Sequence, residues 1–574
     1  MLTALVACDN CECASVDYAV SSPPNDASGT HRRWPQSETS MVRVDLPPGR
    51  NPRDPVSRFV VGYNDSTQST IADGSCWRFN ERASQDGWAF SDGFGADWQR
   101  QTQLPVTDGL RKLGVNARHG DPWLAAWSSP TEGVNSLVLY VSVGQAGLPR
   151  DQGPFFVLLT RSLDNGRTLA ESTILHGPTG GVPDGPKIAI TGDGVAALAA
   201  WNPGGRFEYR LAYNLLEPSV GVNGPQTLDP LTVATPPGTA CTLFGVGRHP
   251  RVAAGRATFY LAGEFLYHCG TSFFSRLEVH RNTHLGIAIR VPWERILSAE
   301  IPGVAGLPDR GRLNTMDTTK PMPFGTLLDR GDILPALAVG QGIGGEFVVV
   351  VTEEVQLGTA ADEASRERIV QYRIPGANHC NALDHRGDLE SCGLPVVKQE
   401  LESISVVGDM RSVASRVGLW ASKPAAFSGR VPDGTIDERV GIAWYAQPYK
   451  GRLSASAQDK TKTIVEAAVS TNGGISYEGP FNLTAASERD GIFTDDDAIG
   501  PYFFPCPIVI PTGSSFCFTR GYFGEYISGA FQFTAPKATA IVAAWGDSRE
   551  GCVDQGVETH HQHVWAGAVR GRLK

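Results

Sequence analysis

Ser162-Leu163-Asp164-Asn165-Gly166-Arg167-Thr168-Leu169 follows directly on the apolar run FFVLLT at residues 155–160. The run reads as a strand, and the octet after it as a tight turn. An Asp at the third position folds its carboxylate back onto backbone N–H groups. A Gly at the fifth supplies a positive φ, and the closing apolar residue packs into the sheet. Ser470-Thr471-Asn472-Gly473-Gly474-Ile475-Ser476-Tyr477 repeats the pattern with Asn for Asp and an aromatic where Leu169 stands. Ser84-Gln85-Asp86-Gly87, followed by Phe90, is a copy one residue short, and Asn282-Thr283-His284-Leu285-Gly286 is a worn one.

Around these turns the chain repeats. A Pro-led strand appears at Pro122-Trp-Leu-Ala, Pro186-Lys-Ile-Ala, Pro250-Arg-Val-Ala and Pro335-Ala-Leu-Ala, with a looser copy at Pro424-Ala-Ala-Phe. The first three start 64 residues apart, the later ones 85 and 89. Each is followed by a second apolar strand and a third, as in Val195–Trp201 and Phe207–Tyr213. Similar units bracket these five, near residues 41–90 and 501–569. A small twisted sheet has two apolar faces that only its neighbours can cover, so a repeat of this kind closes into a ring. The expectation is an all-β propeller of seven blades, or six if a terminal unit is incomplete, occupying residues 41–574 as one domain.

Composition narrows the classes. The 574 residues carry a net charge of −10 with scattered Arg, which excludes the basic footprint of a nucleic-acid binder. No apolar run approaches the 18 residues or so of a membrane span. Residues 1–40 read as a separate leader and flexible tether: Leu5-Val6-Ala7-Cys8 resembles a bacterial lipobox, with Cys8 the lipid-bearing residue, and the stretch after Ala14 is rich in Ser, Pro, Asn and Asp. The alternative is an ordinary apolar N-terminus. The 11 Cys become an even number if Cys8 carries lipid. Cys241 with Cys269, Cys380 with Cys392, and Cys506 with Cys517 are spaced to staple single hairpins or loops, leaving Cys76 to meet Cys552. This points to an extracellular or cell-surface protein, touching membrane only through a lipid anchor.

The turn pattern resembles the Asp-box, or BNR repeat, of the sialidase superfamily. Phe59-Val-Val-Gly-Tyr-Asn-Asp65 resembles the opening strand of bacterial members. Gly524–Gly529, Ile541–Arg549 and His563–Ala568 resemble their closing region. The resemblance implies a sialidase-like propeller whose boxes sit outside the blades, away from any central site. For an exo-sialidase it further implies three Arg on the substrate carboxylate, a Tyr nucleophile with a Glu, and an Asp acid/base. Tyr372-Arg373-Ile374-Pro375 matches the family's Arg motif literally, but at the end of a fifth-unit strand rather than near the domain's start. Arg549 and Asp547 are a second carboxylate clamp and acid, or simply each other's partners on one strand face. Tyr526 is the nucleophile candidate, or a packed Tyr. Asp495-Asp496-Asp497 and the His560, His561, His563 group lack the spacing of a metal site, so no metal or other cofactor is expected. The expected function is a glycan- or cell-surface-protein-binding propeller, with an exo-α-sialidase as the alternative.

Overall fold

The computed structural model describes residues 14–20, 36–46, 56–65, 69–72, 76–79, 84, 86–94, 97–100, 103–129, 135–146, 154–179, 181–228, 241–247 and 249–269. It further describes 272–283, 293–300, 335–342, 345–356, 366–377, 396–400, 411–421, 438–448, 464–483, 508–509, 515–516, 527–534, 537–554 and 557–570. Seven antiparallel sheets follow one another around a ring. Blade 1 is Gln36–Asp45, Ser57–Asp65, Asp86–Asp92 and Gln99–Arg100, and blade 2 is Ala117–Trp127, Leu137–Gln145, Phe155–Ser162 and Glu171–Thr179. Blade 3 is Asp184–Ile190, Ala196–Asn202 and Glu208–Tyr213 with the short outer pieces Gly221–Val222 and Gln226–Thr227. Blade 4 splits its first strand into Cys241–Val246 and Arg251–Ala254, then runs Thr258–Cys269, Ser272–Thr283 and Glu294–Glu300. Blade 5 is Ala336–Gly342, Gly345–Gln356, Arg366–Ile374 and Val397–Glu400. Blade 6 is Arg411–Ala421, Val440–Pro448, Ile464–Ser470 and Glu478–Asn482.

Blade 7 closes the ring with both ends of the chain. Ser528–Thr534, Lys537–Asp554 and Val557–Arg570 supply its first three strands, and Ala14–Ala19 its fourth, with Ala14 opposite Arg570 and Ala19 opposite Trp565. Residues 14–19 and 36–40, expected to be tether, are therefore strands. In Ala14–Ala19, Val16 and Tyr18 alternate with Ser15 and Asp17, a period-2 pattern hidden by the turn-formers around it, whereas residues 36–40 are all polar.

The core is a set of junctions between sheets. Strand alternation sends successive side chains to opposite neighbours. In blade 5, Val348 and Val350 pack toward blade 4, while Phe347, Val349 and Val351 pack toward blade 6. In blade 3, Leu198 and Ala200 face blade 4 and Ala199 and Trp201 face blade 2. Burying a large side chain of this kind is worth about 1.5–3 kcal/mol, and each one is buried only if the next blade is in place. One apolar cluster occupies each of the seven junctions, that between blades 7 and 1 included.

The Pro-led strands of blades 2 to 5 are first strands on the inner wall, as their repeat predicts. The copy at Pro424 lies outside the described residues; blade 6 takes its first strand from Arg411–Ala421. The connections between first and second strands and between third and fourth lie on one face of the ring, the turn face. Those between second and third strands, and from one blade to the next, lie on the opposite, upper face. The blade 4 and blade 7 hairpins extend beyond their blades on the upper side, to Cys269–Ser272 and Asp554–Val557.

Candidate functional site

Two of the octet turns form as their chemistry predicts. Ser162–Leu169 and Ser470–Tyr477 each join a third strand to a fourth on the turn face. Asp164 Oδ1 accepts from the N–H of Arg167 and of Thr168 at 3.0 and 2.8 Å, and its Oδ2 accepts from the Thr168 hydroxyl at 2.7 Å. Asn472 Oδ1 accepts from Ser476 N at 3.0 Å in the same way. The Ser162 and Ser470 hydroxyls accept from Gly166 N and Gly474 N at 2.9 and 2.8 Å. Gly166 sits at φ +73°, where a Cβ would approach Val60 of blade 1 to 2.6 Å. Leu169 and Tyr477 pack against the preceding blade.

The Ser84–Asp86 copy is different. Asp86 begins the third strand of blade 1 rather than following it, so its side chain has no turn to fold onto. It is fully buried, paired with Arg118 of blade 2 at 2.9 Å and hydrogen-bonded by the Ser142 hydroxyl at 2.6 Å. Burial pushes its carboxyl up, against the pull of Arg118 and Ser142. The Asn282 copy runs into residues outside those described.

Arg373 points at a neighbouring blade. Its Nε donates to Gly473 O in the blade 6 turn at 2.7 Å, and its guanidinium lies 5.7 Å from the Phe347 ring. Burial lowers its pKa, opposed by the charge of Glu438. Three other Arg do the same thing around the ring. Arg58 donates to Asn165 O in the blade 2 turn at 3.3 Å. Arg161 donates to Leu215 O and Pro218 O in the blade 3 turn at 2.9 and 2.8 Å, and Arg281 to Ala377 O after the third strand of blade 5 at 2.6 Å. Arg373 is one member of this series of inter-blade clasps.

The remaining sequence candidates divide. Asp547 and Arg549 lie on the second strand of blade 7, at the register shift between Asp547 and Glu550. Tyr526, Cys8, Cys380, Cys392, Cys506, Cys517 and Asp495–Asp497 lie outside the described residues. His560, His561 and His563 stand on the third strand of blade 7. Cys76 begins the small hairpin strand Cys76–Phe79, and Cys552 is in the blade 7 arm; both belong to second-to-third connections of adjacent blades, on the upper face. Cys241 stands directly across the ladder from Cys269.

The axis of the ring holds a cavity of about 190 Å³, lined by residues of six first strands. Its described wall is mostly Ala, Val, Leu and Ile, with Trp123, Arg43 and Arg251 among the exceptions, and carries no Asp, Glu or Tyr. Arg43 is paired with Asp45. The half-buried Trp123 ring has Lys187 Nζ at 4.8 Å and Arg251 Cζ at 5.1 Å. Arg251 is held by donation from Nε to Pro335 O at 2.8 Å. These three residues share one sequence position, immediately after the leading Pro in blades 2, 3 and 4. Aligning the repeats at that Pro and reading the next residue finds them; motif reading alone passes over them.

Two Tyr–Glu pairs are also present, Tyr267 with Glu278 at 2.9 Å and Tyr260 with Glu346 at 2.8 Å. Both tyrosines are buried in blade junctions, and burial together with the adjacent carboxylate pushes each hydroxyl far above its usual pKa. Glu278 is also bonded to His280 at 2.9 Å and faces Arg295 at 3.2 Å. Burial works against its ionisation, but these partners hold it below the usual carboxylate range. Each pair is a hydrogen bond buried within the blade packing.

No protein-family model and no curated protein matches the sequence. Among solved structures, the chain is similar to the α-L-arabinanase of Penicillium chrysogenum in complex with arabinobiose, at 11% identity and a TM-score of 0.35, over 97% of this chain and 98% of that one. It is similar to Trypanosoma rangeli sialidase at 10% identity and a TM-score of 0.34, over 92% of this chain and 70% of that one. A Dyadobacter fermentans protein of unknown function matches at 11% identity and 0.32, over 97% and 98%. At such identities the likeness concerns fold alone.

Proposed function

We propose that this chain is an exported, lipid-anchored propeller of the Asp-box, sialidase-like kind that binds a glycan at the upper mouth of its channel without hydrolysing it. The observation that carries the reading is the channel wall. Among its described residues it offers an aromatic ring and guanidinium groups but no carboxylate or tyrosine, so it has the means to hold a sugar and lacks the acid, base and nucleophile to cleave one. The use of Arg373 as a blade clasp also leaves the carboxylate-binding reading of Tyr372-Arg373-Ile374-Pro375 without its first member. Export is supported by Cys241 and Cys269, which stand directly opposite each other on the ladder where a disulfide would staple the hairpin. The second reading, an exo-α-sialidase, rests on Arg549, Asp547 and Tyr526. A glycan array probed with the purified chain tests the first: binding that Trp123→Ala weakens strongly is expected. Release of a fluorogenic leaving group from a sialoside, lost in Arg549→Ala, would replace it with the second.

A further inference from the structure

We propose that Asn64 of blade 1 is the positioning residue of the mouth: it props a bulge in blade 2 that turns the Trp123 indole toward blade 3. The consequence for binding rests on the glycan reading of the channel. The first strand of blade 2 falls out of step with its neighbour twice. Between Arg118 and Trp123 it advances five residues while the second strand advances three, from Gly144 to Val141. The count decides the face on which Trp123 stands, since a slip of one residue moves a side chain to the other side of a sheet. Counted straight on from Gly120 opposite Val143, Trp123 would stand opposite Tyr140, which packs toward blade 1. The extra residue sets it opposite Val141 instead, which packs toward blade 3. On that side it meets Lys187 and Arg251.

The bulge does not hold itself. Gly120 and Asp121 have φ of +95° and +53°. Gly takes such a conformation freely, whereas Asp keeps it only where its surroundings enforce it, and Pro122 presses the residue before it toward extended backbone. Asn64, half-buried at the upper end of the second strand of blade 1, supplies the enforcement. Its Oδ1 accepts from Asp121 N at 2.7 Å, and its side chain lies so close to Gly120 that a Cβ there would collide with it. Blade 1 holds the other side of residue 123 as well, where Ser40 Oγ accepts from Leu124 N at 2.9 Å. Trp123 is thus aimed by blade 1 at its contacts in blades 3 and 4.

The test places 5-fluorotryptophan in the full chain at its 12 Trp, and Trp123→Phe identifies the fluorine resonance of residue 123. Asn64→Ala is expected to shift or broaden that resonance alone, with a melting midpoint within about 2 °C of the native chain. Asn64→Asp/Asp121→Asn keeps an acceptor at 64, the net charge, and at 121 a residue that tolerates positive φ; it should return the resonance to its place. A resonance unmoved in Asn64→Ala, one that moves together with the other Trp resonances, or no recovery in the double variant overturns the proposal. Calorimetric titration with the strongest binder from the glycan array scores the consequence. Affinity should fall about tenfold in Asn64→Ala and recover in the double variant. Unchanged affinity beside a displaced indole, or an array without a binder, refutes the glycan reading of the mouth and leaves Asn64 as the residue that aims Trp123.

Discussion

Replacing Arg373 by alanine separates two accounts of Tyr372-Arg373-Ile374-Pro375. If the guanidinium is an inter-blade clasp, its loss removes a charged hydrogen bond to Gly473 O and a contact with the Phe347 ring. A hydrogen bond from a charged group is worth about 1.5–3 kcal/mol, and a half-exposed cation–π contact about 0.5–1. The expected loss is about 2–4 kcal/mol, carried by the junction of blades 5 and 6. With an unfolding entropy of about 2.1 cal/mol/K per residue, the 574-residue chain has about 1.2 kcal/mol/K. Its melting midpoint should therefore fall by about 2–3 °C. Arg373→Lys, which keeps the charge but loses Nε, should recover less than half of this. Calorimetry of the three proteins, beside their titration with an array-selected glycan, gives both readouts. Unchanged melting with ligand binding or sialoside turnover abolished would refute the clasp and restore Arg373 to the site.

Asp86→Ala leaves Arg118 as a buried charge without its carboxylate, so it should cost about 3–5 kcal/mol; Asp86→Leu/Arg118→Met should recover much of that in the same melting experiment. Asp164 has its carboxyl held below 3.8: burial opposes ionisation, but hydrogen bonds from Ser162, Thr168 and Arg167 outweigh it. A depressed carboxyl contributes stability above its unfolded pKa that is lost as pH falls through the folded one. Asp164→Asn, which copies Asn472, should therefore cost under about 1 kcal/mol at pH 7, and in acid-unfolding curves the difference from the native chain should begin to shrink as pH drops below about 3.8 and be gone only below the depressed folded pKa. Trp123→Ala should weaken an array-selected glycan by roughly 30-fold, about 2 kcal/mol, as read by calorimetric titration, with Trp123→Phe retaining most of the affinity.

The residues that define the blades were legible because their constraints are local. Period-2 alternation, a Pro that leads the inner strands of blades 2 to 5, and a turn whose Ser, Asp or Asn, and Gly satisfy one another within eight residues all act over short stretches. Asp86 shows the limit of that reading. Its neighbours imitate the turn, but an Asp at the start of a third strand has no loop to cap, and only the approach of blade 2 decides that Arg118 is its partner. The same holds for Ala14–Ala19, whose partner Val557–Arg570 lies at the other end of the chain.

The sequence by itself determined the repeat, the all-β class and the chemistry of the Ser162–Leu169 and Ser470–Tyr477 turns. Tertiary structure alone decided the rest: seven blades rather than six, with the last completed by the N-terminal strand, Arg373 turned onto the next blade, and Trp123, Lys187 and Arg251 brought together 64 residues apart in sequence. The physical reason is closure. Each sheet makes its own hydrogen bonds locally, but what its side chains meet is set by the neighbouring blades, and a ring fixes those neighbours only when its ends have joined.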